Sequence, residues 1–118
     1  MKPSEWEGVV SNADILTLVD FWAPWCPWCR KLTPELEALA VQFKGRINFV
    51  KVNTDEASLI AAKYGVQGLP TIKFFCSGRT VGELVGYMPR TILKAELEKY
   101  AGNYKNCLSQ SSPLRLKS

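Results

Sequence analysis

The sequence predicts an α/β fold: a central mixed sheet of about four strands flanked by helices on both faces. Three observations carry this. The run Ile15-Leu16-Thr17-Leu18-Val19-Asp20-Phe21-Trp22 is apolar on both faces of a strand, so it calls for cover from both sides. The elements alternate in the order α-β-α-β-α-β-β-α, and strand–helix–strand units demand parallel pairing through right-handed crossovers. Finally, two runs near residues 71–85 have hairpin spacing, which adds antiparallel strands at the end.

Residues 3–11 read as a short helix. Pro3 or Ser4 can start it, acids fill its first turn, and Trp6, Val9 and Val10 give an apolar face. After the central strand comes Cys26-Pro27-Trp28-Cys29 and then a strong helical pattern, with Leu32, Leu36, Leu39, Ala40 and Phe43 on one face and Gly45 as the stop. Pro34 lies inside this pattern, removes one backbone donor and should bend the helix. Residues 47–52 form the next strand, and 56–64 a short helix closed by Gly65. Strands 71–76 and 81–85 are joined by Ser77-Gly78-Arg79-Thr80. The last helix covers 90–100, with Ile92, Leu93, Ala95, Leu97 and Tyr100 at its apolar positions and Gly102 ending it. Residues 1–102 are thus one domain, and 103–118 a polar, basic tail expected to be mobile.

Composition narrows the function. The 118 residues are 47% hydrophobic and 22% charged, an ordinary globular mixture for one domain. No apolar run is long enough to cross a membrane, and the opening residues lack the apolar core of a secretion signal. The net charge is +4, but residues 1–100 hold 12 basic against 11 acidic residues, so the excess sits in the tail. A basic stripe suited to nucleic acid is therefore not expected. There is no histidine, which removes Ser-His and Cys-His nucleophile pairs and imidazole zinc sites. The chemistry left is that of four cysteines: Cys26, Cys29, Cys76 and Cys107.

A Cys-x-x-Cys pair by itself says little; its position says more. It follows the central strand and opens the long helix, so Cys26 meets the free N–H groups and dipole of a helix N-terminus. Such a setting lowers a thiol pKa from about 8.5 to somewhere in the range of about 3.5–7.5. Cys29, one turn on, can reach back to the same sulfur, so one thiol attacks a substrate disulfide and the other resolves the mixed disulfide.

The segment Val19-Asp20-Phe21-Trp22-Ala23-Pro24-Trp25-Cys26-Pro27-Trp28-Cys29-Arg30-Lys31 resembles the active-site segment of the thioredoxin family. The likeness continues through Pro34, Val50-Lys51-Val52, Tyr64-Gly65-Val66-Gln67-Gly68-Leu69-Pro70-Thr71, Ser77-Gly78 and Val85-Gly86, over about residues 3–102. It implies a thioredoxin fold and a thiol–disulfide oxidoreductase, most simply a reductase of protein disulfides. It implies Cys26 as nucleophile, Cys29 as resolving thiol, Asp20 as a buried carboxylate that takes the Cys29 proton, and Lys51 as its loose partner. Pro70 is expected to be cis. Leu69, Pro70, Gly86, Trp25, Pro27 and Trp28 would contact substrate. The plainer readings are a backbone-bonded acid for Asp20 and a solvent-facing lysine for Lys51. No cofactor or metal is implied. The expected partners are disulfide-bearing proteins and an electron donor, either a reductase or glutathione, with no nucleic acid and no membrane. The compartment is expected to be cytoplasmic or otherwise reducing, an organelle if a targeting peptide was removed.

Three departures accompany the likeness. Pro27-Trp28 stands where thioredoxins usually have Gly-Pro, and is closer to the Pro-Tyr of many glutaredoxins. This keeps open a glutathione-linked, disulfide-forming or isomerising variant, and alongside it a non-catalytic interaction module. Only Met1-Lys2 precede the first helix, so a first edge strand is expected to be absent, leaving 47–52 at the sheet edge. The chain is then a monomer, or a dimer paired through that edge. The tail holds Cys107, read as incidental, with Cys76 as a strand-end residue; a disulfide between them stays open.

Overall fold

A computed structural model describes residues 6–11, 13–105 and 107. Strands β1 (Leu16–Trp22), β2 (Ile47–Asn53), β3 (Thr71–Cys76) and β4 (Arg79–Val85) form one sheet in the order β2-β1-β3-β4. β1 pairs parallel with β2 and antiparallel with β3, and β3 pairs antiparallel with β4. The α-helices are α1 (Pro27–Gln42), α2 (Ser58–Lys63) and α3 (Arg90–Asn103). Among the described residues β2 pairs only with β1.

β1 takes the centre because its two faces are both apolar. Leu16 and Leu18 join Leu32, Leu36 and Leu39 of α1 and Leu93 and Leu97 of α3 in one core. Val19 and Phe21 face the other way, into a second core with Trp6, Val10, Ile60, Ala61 and Phe75. Helices therefore cover both faces, as the alternation of the strand demands.

Several local expectations need correction. The second strand–helix–strand stretch gives no parallel pair. With only six residues, α2 rises about 9 Å against the ~23 Å of β2, too little to carry the chain back to a parallel start. β3 instead enters on the far side of β1, antiparallel to it. The hairpin turn is two residues, not four. Ser77 (φ 52°) and Gly78 (φ 83°) both take the left-handed conformation that two-residue hairpins use, so Arg79 and Thr80 already belong to β4. A bulge at Phe74/Phe75 absorbs the offset.

The helices are also adjusted at their ends. Pro3 and Ser4 lie outside the described residues. The described part of the first helix, Glu7–Ser11, is a π-helical turn rather than an α-helix. Trp6 and Val10 are buried there while Val9 is exposed, because the Trp6 ring is seated among Phe21, Tyr64 and Phe75 and sets which side faces inward. In α3 the buried stripe is Leu93, Leu97 and Ala101, at i, i+4 and i+8; Ile92 and Ala95 face solvent, and the helix runs through Gly102 to Asn103. α1 is continuous through Pro34. α2 closes on Gly65 with paired bonds, Gly65 N–H to Ala62 C=O and Val66 N–H to Ala61 C=O.

Cys107 is not incidental and Cys76 is not merely a strand end. The two are buried and disulfide-bonded, with their Cα atoms 5.0 Å apart. The Cys107 N–H donates to Asp14 C=O and the Ser77 hydroxyl to Cys107 C=O. The polar stretch 109–113 lies outside the described residues. The cross-link closes a loop of 31 residues holding β4 and α3. Cys107→Ser should cost about 3 kcal/mol of stability, read as a fall in the denaturant midpoint. A loss under about 1 kcal/mol would show that the bond does not restrain the unfolded chain.

Candidate functional site

The site is built where β1 ends. Trp22 leaves the sheet, Ala23–Trp25 make a tight turn closed by the Cys26 N–H to Ala23 C=O bond, and α1 starts at Pro27. Cys26 is the N-cap of α1. Its Sγ accepts the Cys29 N–H at 3.2 Å, so a backbone donor already points at the sulfur. Pro27 occupies the first helical position, where its missing N–H costs nothing. Cys26 and Cys29 are disulfide-bonded, with their Cα atoms 5.3 Å apart. Cys26 keeps 4% of its surface while Cys29 has none, so Cys26 is the more accessible residue of the pair.

The other wall comes from the segment before β3. The Leu69–Pro70 bond is cis. Leu69 packs on the Ala23, Cys26 and Cys29 cluster, and Pro70 is buried beside it. Gly86 follows β4 at φ 94°, a conformation that side chains resist, and its N–H donates to Pro70 C=O at 2.8 Å. This bond ties the end of the hairpin to the cis turn.

Two aromatic side chains flank the sulfurs. Trp25 is 65% exposed, and its indole N–H donates to Asp55 Oδ1 at 3.2 Å. Trp28 is 54% exposed and packs against the Tyr87 ring, centroids 5.7 Å apart. Asp55 and Tyr87 escaped the sequence reading. Each is placed by a loop end, and no motif signals its side-chain partner.

Asp20 lies on the α1 side of β1 and is 1% exposed; neither carboxylate oxygen has a hydrogen-bond partner among the described residues. Burial pushes its carboxyl well above the usual range, to about 6, while the neighbouring Lys51 charge pulls the other way. Lys51 is in register with Asp20 across β1 and β2. The pairing is loose, as expected: among the described residues the two make no salt bridge, and Lys51 acts on Asp20 through its charge. Its exposed ammonium sits 4.3 Å from the Trp22 ring centroid, because a long lysine stem at a sheet edge can reach solvent and an aromatic face together. A cleft of about 200 Å³ lined by Leu18, Asp20, Thr33, Leu36 and Lys51, among others, opens onto the carboxylate. The plain reading of Asp20 as an acid bonded to backbone is thus not what the geometry gives.

The described residues hold no cluster of ligands able to bind a metal ion, and none of their helices is long and apolar enough to cross a membrane. The fold brings Cys26, Cys29, Leu69, Pro70 and Gly86 to one end of the sheet, with Trp25 and Trp28 at the rim, while Asp20 lies earlier on β1 in its own cleft.

Comparison with known proteins agrees with this geometry. The Thioredoxin family model matches residues 1–99. The chain is 43% identical over 97 residues to thioredoxin 1 of Nostoc sp., covering 82% of this chain and 91% of that one. It is 44% identical over 91 residues to a thioredoxin of Porphyra purpurea, covering 77% and 85%. Against the chloroplastic M-type thioredoxin of Pisum sativum it is 40% identical over 100 residues, 85% of this chain and 58% of that longer one. A Cys-x-x-Cys disulfide capping a helix at the end of the central strand, in a chain this similar to thioredoxins along most of its length, leaves one assignment: the chain belongs to the thioredoxin family and is a thiol–disulfide oxidoreductase that reduces protein disulfides, with Cys26–Cys29 as its redox-active pair.

Proposed function

We propose that Cys26 is the nucleophile, Cys29 the resolving thiol and Asp20 the base that serves it. The observation that carries this is the seat of Cys26: N-cap of α1, beside the cis turn, and more accessible than the fully buried Cys29.

In the reduced enzyme the Cys26 thiolate, stabilised by the α1 N-terminus, attacks one sulfur of a substrate disulfide. The other substrate sulfur leaves as a thiolate and takes a proton from solvent. A mixed disulfide joins Cys26 to the substrate. Cys29 then loses its proton and attacks the Cys26 sulfur, expelling the second substrate thiolate. Two electrons have passed to the substrate, and the Cys26–Cys29 disulfide remains. Asp20 is suited to take the Cys29 proton, since a carboxyl with a pKa near 6 can both accept and release a proton near neutral pH. Lys51, at the mouth of the Asp20 cleft, limits how far that pKa rises.

Substrate approach is set by the cis turn. The Leu69 backbone would pair with an extended segment carrying the disulfide, in the manner of strand addition. Pro70 and Gly86 hold that turn, and Trp25, Pro27 and Trp28 supply contact area on either side of Cys26. A reductase or glutathione restores the dithiol; Pro27-Trp28 is the feature that brings glutathione in. We assign the chain to a reducing compartment, a reading its chloroplastic M-type relatives support, and take it to act there as a monomer. Burial of Cys76–Cys107 shields that second disulfide from reductants there.

Two results are expected. Cys29→Ser should accumulate mixed disulfides with protein substrates, visible as higher-mass bands that thiols remove, and Cys26→Ser should accumulate none. The reverse pattern would exchange the two roles. For Asp20, the folded protein holds its proton up to about pH 6 while the unfolded chain releases it near pH 4. The stability of the oxidised protein should therefore fall by roughly 3 kcal/mol as pH rises through this window, and the fall should vanish in Asp20→Asn. Parallel stability–pH curves for the two proteins would show that Asp20 is not held in a dry site.

A further inference from the structure

Trp28 and Leu69 line two clefts at once. One, of about 420 Å³, holds Cys26 together with Trp25 and Pro27; the other, of about 350 Å³, is lined by Trp28, Leu69, Pro70, Gly86 and Tyr87. The two residues form a ridge between them. A segment lying extended along Leu69 would put its cysteine in the first cleft. The side chain two residues away, about 7 Å along and on the same face, would enter the second.

The clefts differ in charge. On the Trp25 side stands the Asp55 carboxylate, bonded to the indole. On the Trp28 side stands Lys31, its ammonium 5.0 Å from the Trp28 ring centroid and 5.8 Å from that of Tyr87. Lys31 and Glu35 are one helical turn apart and would ordinarily pair. Here Arg90 takes Glu35, Nε to Oε1 at 2.8 Å, and Lys31 has no carboxylate within 4 Å among the described residues. Arg30, next in sequence, is turned back to Pro24 C=O. The Trp28–Tyr87 cleft is therefore an apolar floor with one uncommitted cation at its rim.

We propose that Trp28, Tyr87 and Lys31 form a specificity subsite for an acidic side chain, Asp or Glu, two residues from the substrate cysteine. This rests on the reductase reading and adds substrate class to it. The methylene groups of the acid lie on the Trp28 and Tyr87 rings, and its carboxylate meets the Lys31 ammonium. Lys31 acts on docking and takes no part in the electron transfer.

The test uses the reduced full-length chain and synthetic peptides bearing one cysteine as a mixed disulfide with thionitrobenzoate. The peptides are identical except for Glu or Lys two residues before or after the cysteine. Attack on the peptide sulfur releases the coloured thiolate, and single-turnover rates need no electron donor. The wild type should favour the Glu peptide over the Lys peptide by about fivefold on one side of the cysteine at low ionic strength, the size of a half-exposed ion pair. The preference should fade at about 1 M salt, where the Debye length is about 3 Å. Lys31→Gln should bring the ratio close to one and Lys31→Glu should invert it. Lys44→Gln, the same charge change beyond the far end of α1, should leave the wild-type ratio in place. A wild-type ratio of one on both sides, or a preference that survives Lys31→Gln, overturns the subsite while the reductase reading stands. No release from any peptide overturns both.

Discussion

The structure depends on one constraint: β1 has to be dry on both faces. Leu16 and Leu18 point into the α1–α3 core, and Val19 and Phe21 into the core beneath α2, so neither face can be left to water. A strand so placed must be interior, and β2 and β3 take its two edges. Helices must then lie above and below. The same constraint makes the Asp20 carboxyl unusual, because a side chain on a strand with no wet face has no route to full solvation. Its raised pKa comes from where the strand lies more than from any single neighbour.

The working end inherits its geometry from that strand. β1 delivers the chain to a tight turn, and the turn delivers Cys26 to a helix N-terminus whose own side is packed on the sheet. β3, paired with β1, brings its first residue and the cis turn before it to the same level. Two independent segments are thus held in register by one ladder of backbone bonds. Rigid elements place the sulfurs and the cis turn, while the contacts of Trp25 with Asp55 and of Trp28 with Tyr87 and Lys31 sit on their rims.

Much of this is legible in the residues. The doubly apolar run around Val19 specifies a central strand, and the Leu32, Leu36, Leu39 spacing specifies the helix after it. The cysteine pair, Asp20 and Pro70 are legible because motif and position agree. The features that are not legible depend on chain segments far apart. Val9, Ile92 and Ala95 are as apolar as their buried neighbours, and only the seat of Trp6 and the stripe of α3 decide which face turns in. The orientation of β3 is hidden because a short helix resembles a crossover until its length is set against the strand's. Lys51 reads as a loose partner of Asp20 and its charge does act on that carboxyl, but register does not direct a flexible ammonium, and its seat over the Trp22 ring is not legible. Asp55, Tyr87 and Lys31 carry no signal until three-dimensional proximity joins them to the tryptophans.

The Cys76–Cys107 bond also gives the molecule a mechanical shortcut. Tension applied to the chain after residue 107 enters the sheet through the sulfur bridge, directly into β3, which is paired on both edges. The residues between the two cysteines, including β4 and α3, lie outside that load path. They can neither be peeled from the end nor add their contour, about 100 Å for some 30 residues, to the stretched length. While the bridge is intact, a pull at this end must therefore work against the centre of the fold rather than its margin.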